Sequence, residues 1–192
     1  MARLPLLSHG VHLLAAGRGR RAGGPKAWQP CGGRSLLERQ VAFLTALFDP
    51  EDISVSIQEP WLERCRALSR DVRWVPVDPG LPALGALQRL VRQTHTDGWA
   101  FVYHVDMPVW EKGLFESLSR AVSAAGAAQA VVPARDGKGG HPVLLSTALA
   151  RRVLAADPLE DRLDRMISRG LVHRVEVPFA CIRENWNEVI PP

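Results

Sequence analysis

Lysine is scarce in this chain: of its 24 lysines and arginines only Lys26, Lys112 and Lys138 are lysine. Against an arginine-rich background, a lysine at position 26 marks a place that wants a compact point charge rather than a planar fork. Cysteine is sparse too. Cys31, Cys65 and Cys181 are isolated, with no C-x-x-C pair and an odd count, which speaks against a zinc site and a disulfide framework and points to the reducing cytoplasm. No apolar run reaches the length of a membrane span. Residues 1–16 are apolar, but only Arg3 precedes the run and His9 and His12 interrupt it, so it reads as a first strand rather than a secretory signal. Aromatics make up 6% of residues and no basic stripe is interleaved with them, so the net charge of +4 does not call for nucleic acid. Linker-like stretches are also missing. At 192 residues and 46% hydrophobic, the chain is expected to bury one substantial core as a single domain over residues 1–192.

What the sequence does have is a glycine- and arginine-rich loop running straight out of an apolar strand. Residues 13–26 read Leu-Leu-Ala-Ala-Gly-Arg-Gly-Arg-Arg-Ala-Gly-Gly-Pro-Lys. Gly17, Gly19, Gly23 and Gly24 allow the backbone to take positive φ and aim successive N–H groups at one anion. Arg18, Arg20, Arg21 and Lys26 supply the charge a triphosphate needs. Two common nucleotide loops do not fit. The Walker A pattern needs Gly-Lys-Ser/Thr, whereas Gly24 is followed by Pro25, Lys26 and Ala27. The dinucleotide fingerprint is met on paper by Gly17, Gly19 and Ala22, yet Gly23-Gly24-Pro25 breaks the helix it must open.

The rest of the chain alternates strands with helices. Strands are expected at residues 11–16, 53–57, 72–77, 99–105, 130–133, 142–145 and 172–177. Helices are expected after Ser35, which forms a capping box with Glu38, after Pro60, from Pro82, over 112–125, and around 147–155 and 159–169. The sum is a three-layer α/β/α domain with a mostly parallel, Rossmann-like sheet. In such sheets ligands bind outside the carboxyl ends of the strands. The glycine loop after Ala16 and Asp106 after Val105 both stand at such ends, so one crevice should hold both.

The segment Leu14-Ala15-Ala16-Gly17-x-Gly19-x-Arg21-x-Gly23-Gly24-Pro25-Lys26 resembles the signature of the MobA-like nucleotidyltransferases, which build molybdenum-cofactor dinucleotides and related sugar nucleotides. The resemblance continues in Gly33-Arg34-Ser35-Leu36-Leu37-Glu38, in Val105-Asp106-Met107-Pro108, which is similar to the family's metal motif, and in Gly140-His141-Pro142-Val143-Leu144, a segment seen especially in the cytidylyl branch. It implies a nucleotide-diphospho-sugar transferase-like fold and a transfer of NMP from NTP to an acceptor with release of pyrophosphate. Such chemistry is mostly positioning and charge neutralisation, for which Mg²⁺ on one or two side-chain oxygens is the natural carrier.

The expected roles follow. Asp106 is the first metal ligand, and Lys26 and Arg21 act with it on the triphosphate and the leaving pyrophosphate. Leu14, Ala15, Ala16, Gly17, Arg18 and Gly19 hold the nucleotide with Lys26. Pro82 and Gly85, in a segment similar to one near the base in guanylyl enzymes, lie by the base, although that segment's leading glycine is here Leu81. Trp28, just past Lys26, is near enough in sequence to line the nucleotide site. Gly140 and His141 face the acceptor. The resemblance implies a second metal ligand at Asn187, in a tail that keeps N-x-N but lacks the family's T-P-E-D, with Glu184 as an acidic stand-in. Loss of glycine at Leu81 and the Gly-His-Pro segment favour CTP over GTP, with molybdopterin as the implied phosphate-bearing acceptor. The partners expected are thus an NTP and a small molecule, with no nucleic acid or membrane. A sugar-phosphate nucleotidyltransferase and a non-catalytic nucleotide- or partner-binding homologue remain alternatives.

Overall fold

The computed structural model describes residues 9–20, 23–94 and 98–186. Its centre is β1 (His9–Leu14), whose six residues are all buried. Alternation along this strand sends Val11 and Leu13 to one core and Leu14 to the other, as a strand of period two must when both faces of its sheet are covered. The first core lies under α1 (Leu36–Thr45), α2 (Leu62–Leu68) and α4 (Lys112–Ala121). The second lies under α3 (Ala83–Gln93), α5 (Thr147–Ala155) and α6 (Leu163–Ser168). This gives three layers.

The sheet adds β4 (Ile53–Gln58), β5 (Arg73–Val77), β6 (Trp99–His104), β7 (Ala130–Arg135), β9 (Val143–Ser146) and β10 (Val172–Glu176) in the spatial order β10-β7-β9-β6-β1-β4-β5. The pairs β1–β4, β4–β5, β1–β6 and β7–β10 are parallel. The chain builds outward from β1 through β4 and β5, then returns to place β6 on the other flank of β1. That reversal opens a crevice at the carboxyl ends of β1 and β6.

The expected elements recur with informative differences. Strand β9 runs antiparallel between β6 and β7, so the sheet is mostly but not wholly parallel. Two two-residue turns add short hairpins. Gly32 and Gly33, both at positive φ, join β2 (Pro30–Cys31) to β3 (Arg34–Ser35). Asp136 and Gly137, also both at positive φ, join β7 to β8 (Lys138–Gly139). Positive φ at both central positions gives the turn a twist that suits a hairpin. The helix expected at 159–169 begins only at Leu163, because residues 157–162 form a loop in which the Asp157 carboxylate accepts from the Leu159 amide. The capping box of α1 forms as expected, with Ser35 Oγ accepting from the Glu38 amide and the Glu38 carboxylate accepting from the Ser35 amide.

Serines 54 and 56, which read as the polar face of an alternating strand, are fully buried. Their hydroxyls are used: Ser54 Oγ lies 2.6 Å from His12 Nδ1, and Ser56 Oγ accepts from the Ala15 amide at 3.1 Å. Burial holds His12 well below the ordinary histidine range, at about 4, so it is neutral in the core.

Candidate active site

The backbone leaving β1 stops pairing as a strand at Leu14 and is then held by side chains of β4. Gln58 Nε2 donates to the carbonyls of Ala16 and Gly17 at 3.2 Å each. The loop closes on itself where the Gly24 amide donates to the Gly19 carbonyl at 3.1 Å. Gly19 takes positive φ, and a Cβ there would collide with the Gly24 carbonyl, so this closure requires glycine. Gly17 differs: its φ is not positive and a Cβ would meet no atom within 4 Å among the described residues beyond its chain neighbours.

From this loop the chain enters a short 3-10 turn, Lys26–Trp28, which turns the lysine back across the crevice. Lys26 Nζ donates to Asp106 Oδ2 at 2.5 Å, joining residues 80 apart in sequence, and both side chains are mostly buried. A pair this enclosed is costly to break from one side, because the remaining charge loses its close opposite charge in a poorly solvated place. The other carboxylate oxygen, Asp106 Oδ1, is buried with no hydrogen-bond partner among the described residues.

Two cavities meet here. The smaller, about 390 Å³, is lined by Leu14, Ala15, Gly17, Arg18, Gly19, Arg20, Lys26, His104 and Asp106 among others. The larger, about 680 Å³, shares with it only Leu14 and His104 among the described lining residues and extends over β7, β9, β10, the start of α3 and α6. Its walls are apolar, with Leu84, Leu87, Val132, Val143, Leu163 and Ile167 prominent, while Arg162, Arg174, Asp161 and Asp164 supply charge.

His104 and His141 are both partly buried beside this junction. Burial is the main reason His104 titrates low, with Asp106 pulling it up and Lys26 pushing it down. His141 is held at about 4, first by burial and then by His104, against an opposing pull from Asp106. Both rings are therefore neutral near pH 7, so the positive charge at the junction comes from Lys26 and the loop arginines.

The structure thus brings Leu14, Ala15, Gly17, Arg18, Gly19, Lys26 and Asp106 around one cavity. Arg18 also approaches Asp78 to 3.9 Å at the surface. Gly140 and His141 line the larger cavity, as does Pro82. A Cβ on Gly140 would collide with the Ile182 carbonyl, and the His141 amide donates to that same carbonyl at 2.8 Å.

Other residues fall elsewhere. Ala16 is 7% exposed and packs into the core beneath α3, so only its carbonyl reaches the loop network. Gly85 lines neither cavity: it is buried in α3, and the Leu81 side chain packs directly over it. Trp28 turns away, with its ring 5.3 Å from that of Trp61 and the Arg64 guanidinium 4.0 Å above it. A 3-10 turn that points Lys26 into the crevice carries the residue two positions later into the hydrophobic layer. Glu184 is exposed and lines, with Met107 and His141, a side cavity of about 270 Å³. Arg21 and Asn187 lie outside the described residues.

Sequence reasoning passed over His104, Gln58 and Gln40. His104 immediately precedes the turn into Asp106 and carried no motif of its own. Gln40 did leave a signal, a polar residue on the otherwise apolar Leu36, Leu37, Val41 and Leu44 face of α1, where it is fully buried.

The family model that matches this chain is the MobA-like NTP transferase domain, over residues 11–175. Among solved structures, a nucleotidyl transferase from Methanothermobacter thermautotrophicus is similar at 27% identity and a TM-score of 0.68, covering 93% of this chain and 91% of that one. Molybdopterin-guanine dinucleotide biosynthesis protein A from Archaeoglobus fulgidus is similar at 18% identity and a TM-score of 0.65, with 87% and 83% covered. A Mycobacterium tuberculosis protein in complex with manganese is similar at 19% identity and a TM-score of 0.63, with 88% and 87% covered. The last two likenesses establish the fold.

Proposed function

This chain belongs to the MobA-like NTP transferase family, and from that premise we propose that it transfers CMP from CTP to a phosphate-bearing acceptor, molybdopterin, in a Mg²⁺-dependent reaction that releases pyrophosphate. The observation that carries the reading is the meeting of Lys26 and Asp106 at the floor of the glycine-loop cavity.

In the proposed reaction an acceptor phosphate oxygen forms a bond to the α-phosphorus, and the bond from that phosphorus to the bridging oxygen breaks, its electron pair leaving with pyrophosphate. The backbone of the Gly17–Gly19 stretch and the side chains of Arg18, Arg20 and Lys26 surround the triphosphate and offset the charge on the leaving group. Arg21 and Asn187 keep the roles proposed from sequence, on pyrophosphate and metal respectively. The residues present suit a divalent ion, since Asp106 Oδ1 is a buried carboxylate oxygen without a described partner. A Mg²⁺ bound there would neutralise phosphate charge and polarise the α-phosphoryl group. No general base is needed, because an acceptor phosphate near pH 7 is already an anion.

The two cavities divide the substrates. The cationic one suits the triphosphate. The larger, with apolar walls, suits a flat heteroaromatic body such as a pterin better than a sugar, whose many hydroxyls would lose water without finding partners. At the base end, Leu81 stands where the resembling guanylyl segment has its leading glycine, and that loss of glycine is the ground for proposing a pyrimidine. A single domain covering residues 1–192 working in the cytoplasm completes the proposal. Among the described residues no helix is long and apolar enough to cross a membrane.

Incubation with molybdopterin, Mg²⁺ and either CTP or GTP, followed by mass analysis, tests this. A cytosine dinucleotide is expected. A guanine product would reverse the base assignment, and no dinucleotide from either would overturn the acceptor.

A further inference from the structure

Gln40 makes every hydrogen bond its amide can make, although it is buried in the middle of α1. Its Nε2 donates to the carbonyls of Val105 at 2.9 Å and Met107 at 2.8 Å. Its Oε1 accepts from Trp110 Nε1 at 3.1 Å and from Tyr103 Oη at 3.3 Å. An indole N–H can only donate, so the atom facing Trp110 must be the oxygen, and this orients the amide without ambiguity.

The two carbonyls flank Asp106. The carbonyl of Asp106 itself accepts from the Trp186 amide at 2.9 Å. Three consecutive carbonyls at the exit of β6 are thus tied by donors from α1 and from the chain's last described residue. Strand pairing cannot do this work, because β6 ends at His104 and, among the described residues, the sheet reaches this turn only through the Val105 amide, which donates to the Leu14 carbonyl at 3.0 Å. Trp110, which orients Gln40, also packs edge-on against Trp186 at 5.5 Å, so the two anchors support each other.

We infer that Gln40 is a positioning residue: it fixes the backbone on both sides of Asp106, so that the carboxylate is held between Lys26 and the triphosphate cavity ready to take a divalent ion. This inference rests on the proposed role of Asp106 as metal ligand. A buried amide on a helix face that otherwise packs Leu and Val is costly unless fully bonded. Here its bonds converge on one turn, and outer partners of that kind set how well a first ligand binds its ion.

The test is calorimetric titration of Mn²⁺ with inorganic triphosphate into wild type, Asp106→Asn and Gln40→Met, a change that keeps the length and volume of the side chain but removes all four hydrogen bonds. Circular dichroism and thermal melts without metal report the fold. We expect wild type to bind, Asp106→Asn to lose binding, and folded Gln40→Met to bind about 10- to 100-fold more weakly. Unchanged Mn²⁺–triphosphate affinity in a folded Gln40→Met would overturn the positioning role and leave Asp106 standing. Asp106→Asn binding as well as wild type would overturn the metal assignment and the positioning role with it. If Gln40→Met does not fold, Trp110→Phe decides. It keeps a ring against Trp186 but removes the N–H that orients the amide, so weaker binding at unchanged melting temperature supports the role and unchanged binding overturns it.

Discussion

The two cavities that meet at Leu14 and His104 are built by different means. The smaller is made from a contiguous loop, the glycine-rich exit of β1, closed by its own backbone and finished by one distant carboxylate. The larger is assembled from side chains of β7, β9, α3 and α6 that are far apart in sequence and apolar in character. Charge and backbone amides recognise a phosphate whatever it is attached to, whereas a shaped apolar wall discriminates between bodies. A nucleotidyl transfer needs both, and the proposed function gives the triphosphate to the first cavity and the acceptor to the second.

The sharpest way to break that division is Asp106→Ala. It removes the proposed metal ligand and leaves Lys26 without its carboxylate, so pyrophosphate release should fall by about three orders of magnitude or more, several kcal/mol of transition-state stabilisation. Lys26→Ala should follow with a smaller loss, while Arg66→Ala, an exposed residue paired with Glu63, should leave the rate unchanged. Comparable losses from Arg66 and Lys26 would mean that general charge, not the cradle, binds the nucleotide.

In the second cavity Ile167→Glu places an unpaired carboxylate on an apolar wall. It should raise the acceptor KM by about 10- to 100-fold while the KM for CTP stays within about twofold. Steady-state kinetics with each substrate varied in turn reads the split. A parallel rise in both constants would mean that the cavities do not act separately.

The smallest effect lies beneath both cavities, in β1. His12 titrates near 4 when folded and near the ordinary value of 6.5 when unfolded. As pH falls from about 6.5 to 4, the unfolded chain binds this proton and the folded one does not, so stability is lost with acidification by about 1.4 kcal/mol per pH unit for this residue. Urea denaturation at pH 7, 6 and 5 should show a shallower loss for His12→Gln than for wild type. An identical slope would place the His12 proton elsewhere. His9, His104 and His141 are also held low by burial and keep their share in either protein.

These differences track what a local pattern can carry. The Ser35 capping box, the amphipathic α3 and the strand ending before Asp106 are each written within a dozen residues, and the structure places each of them where the pattern does. The antiparallel run of β9 left no mark, because a buried apolar strand reads the same in either direction. Residues 159–162 followed a helical period yet form a loop that lines the larger cavity. Trp28 and Gly85 sit close in sequence to motif residues but face the core, since neighbours along a turn or a helix point in different directions.

The sequence by itself determined the layer order, the loop chemistry and the identity of the charged residues, all consequences of periodicity and of the few conformations that glycine, proline and capping residues permit. Only the tertiary structure decided that Lys26 would bind Asp106 across 80 residues, that Gln40 would grip the turn on either side of that carboxylate, and that His104 and His141 would be neutral. Those outcomes depend on which buried groups meet inside a close-packed interior, where desolvation makes each polar atom take whatever partner the packing brings.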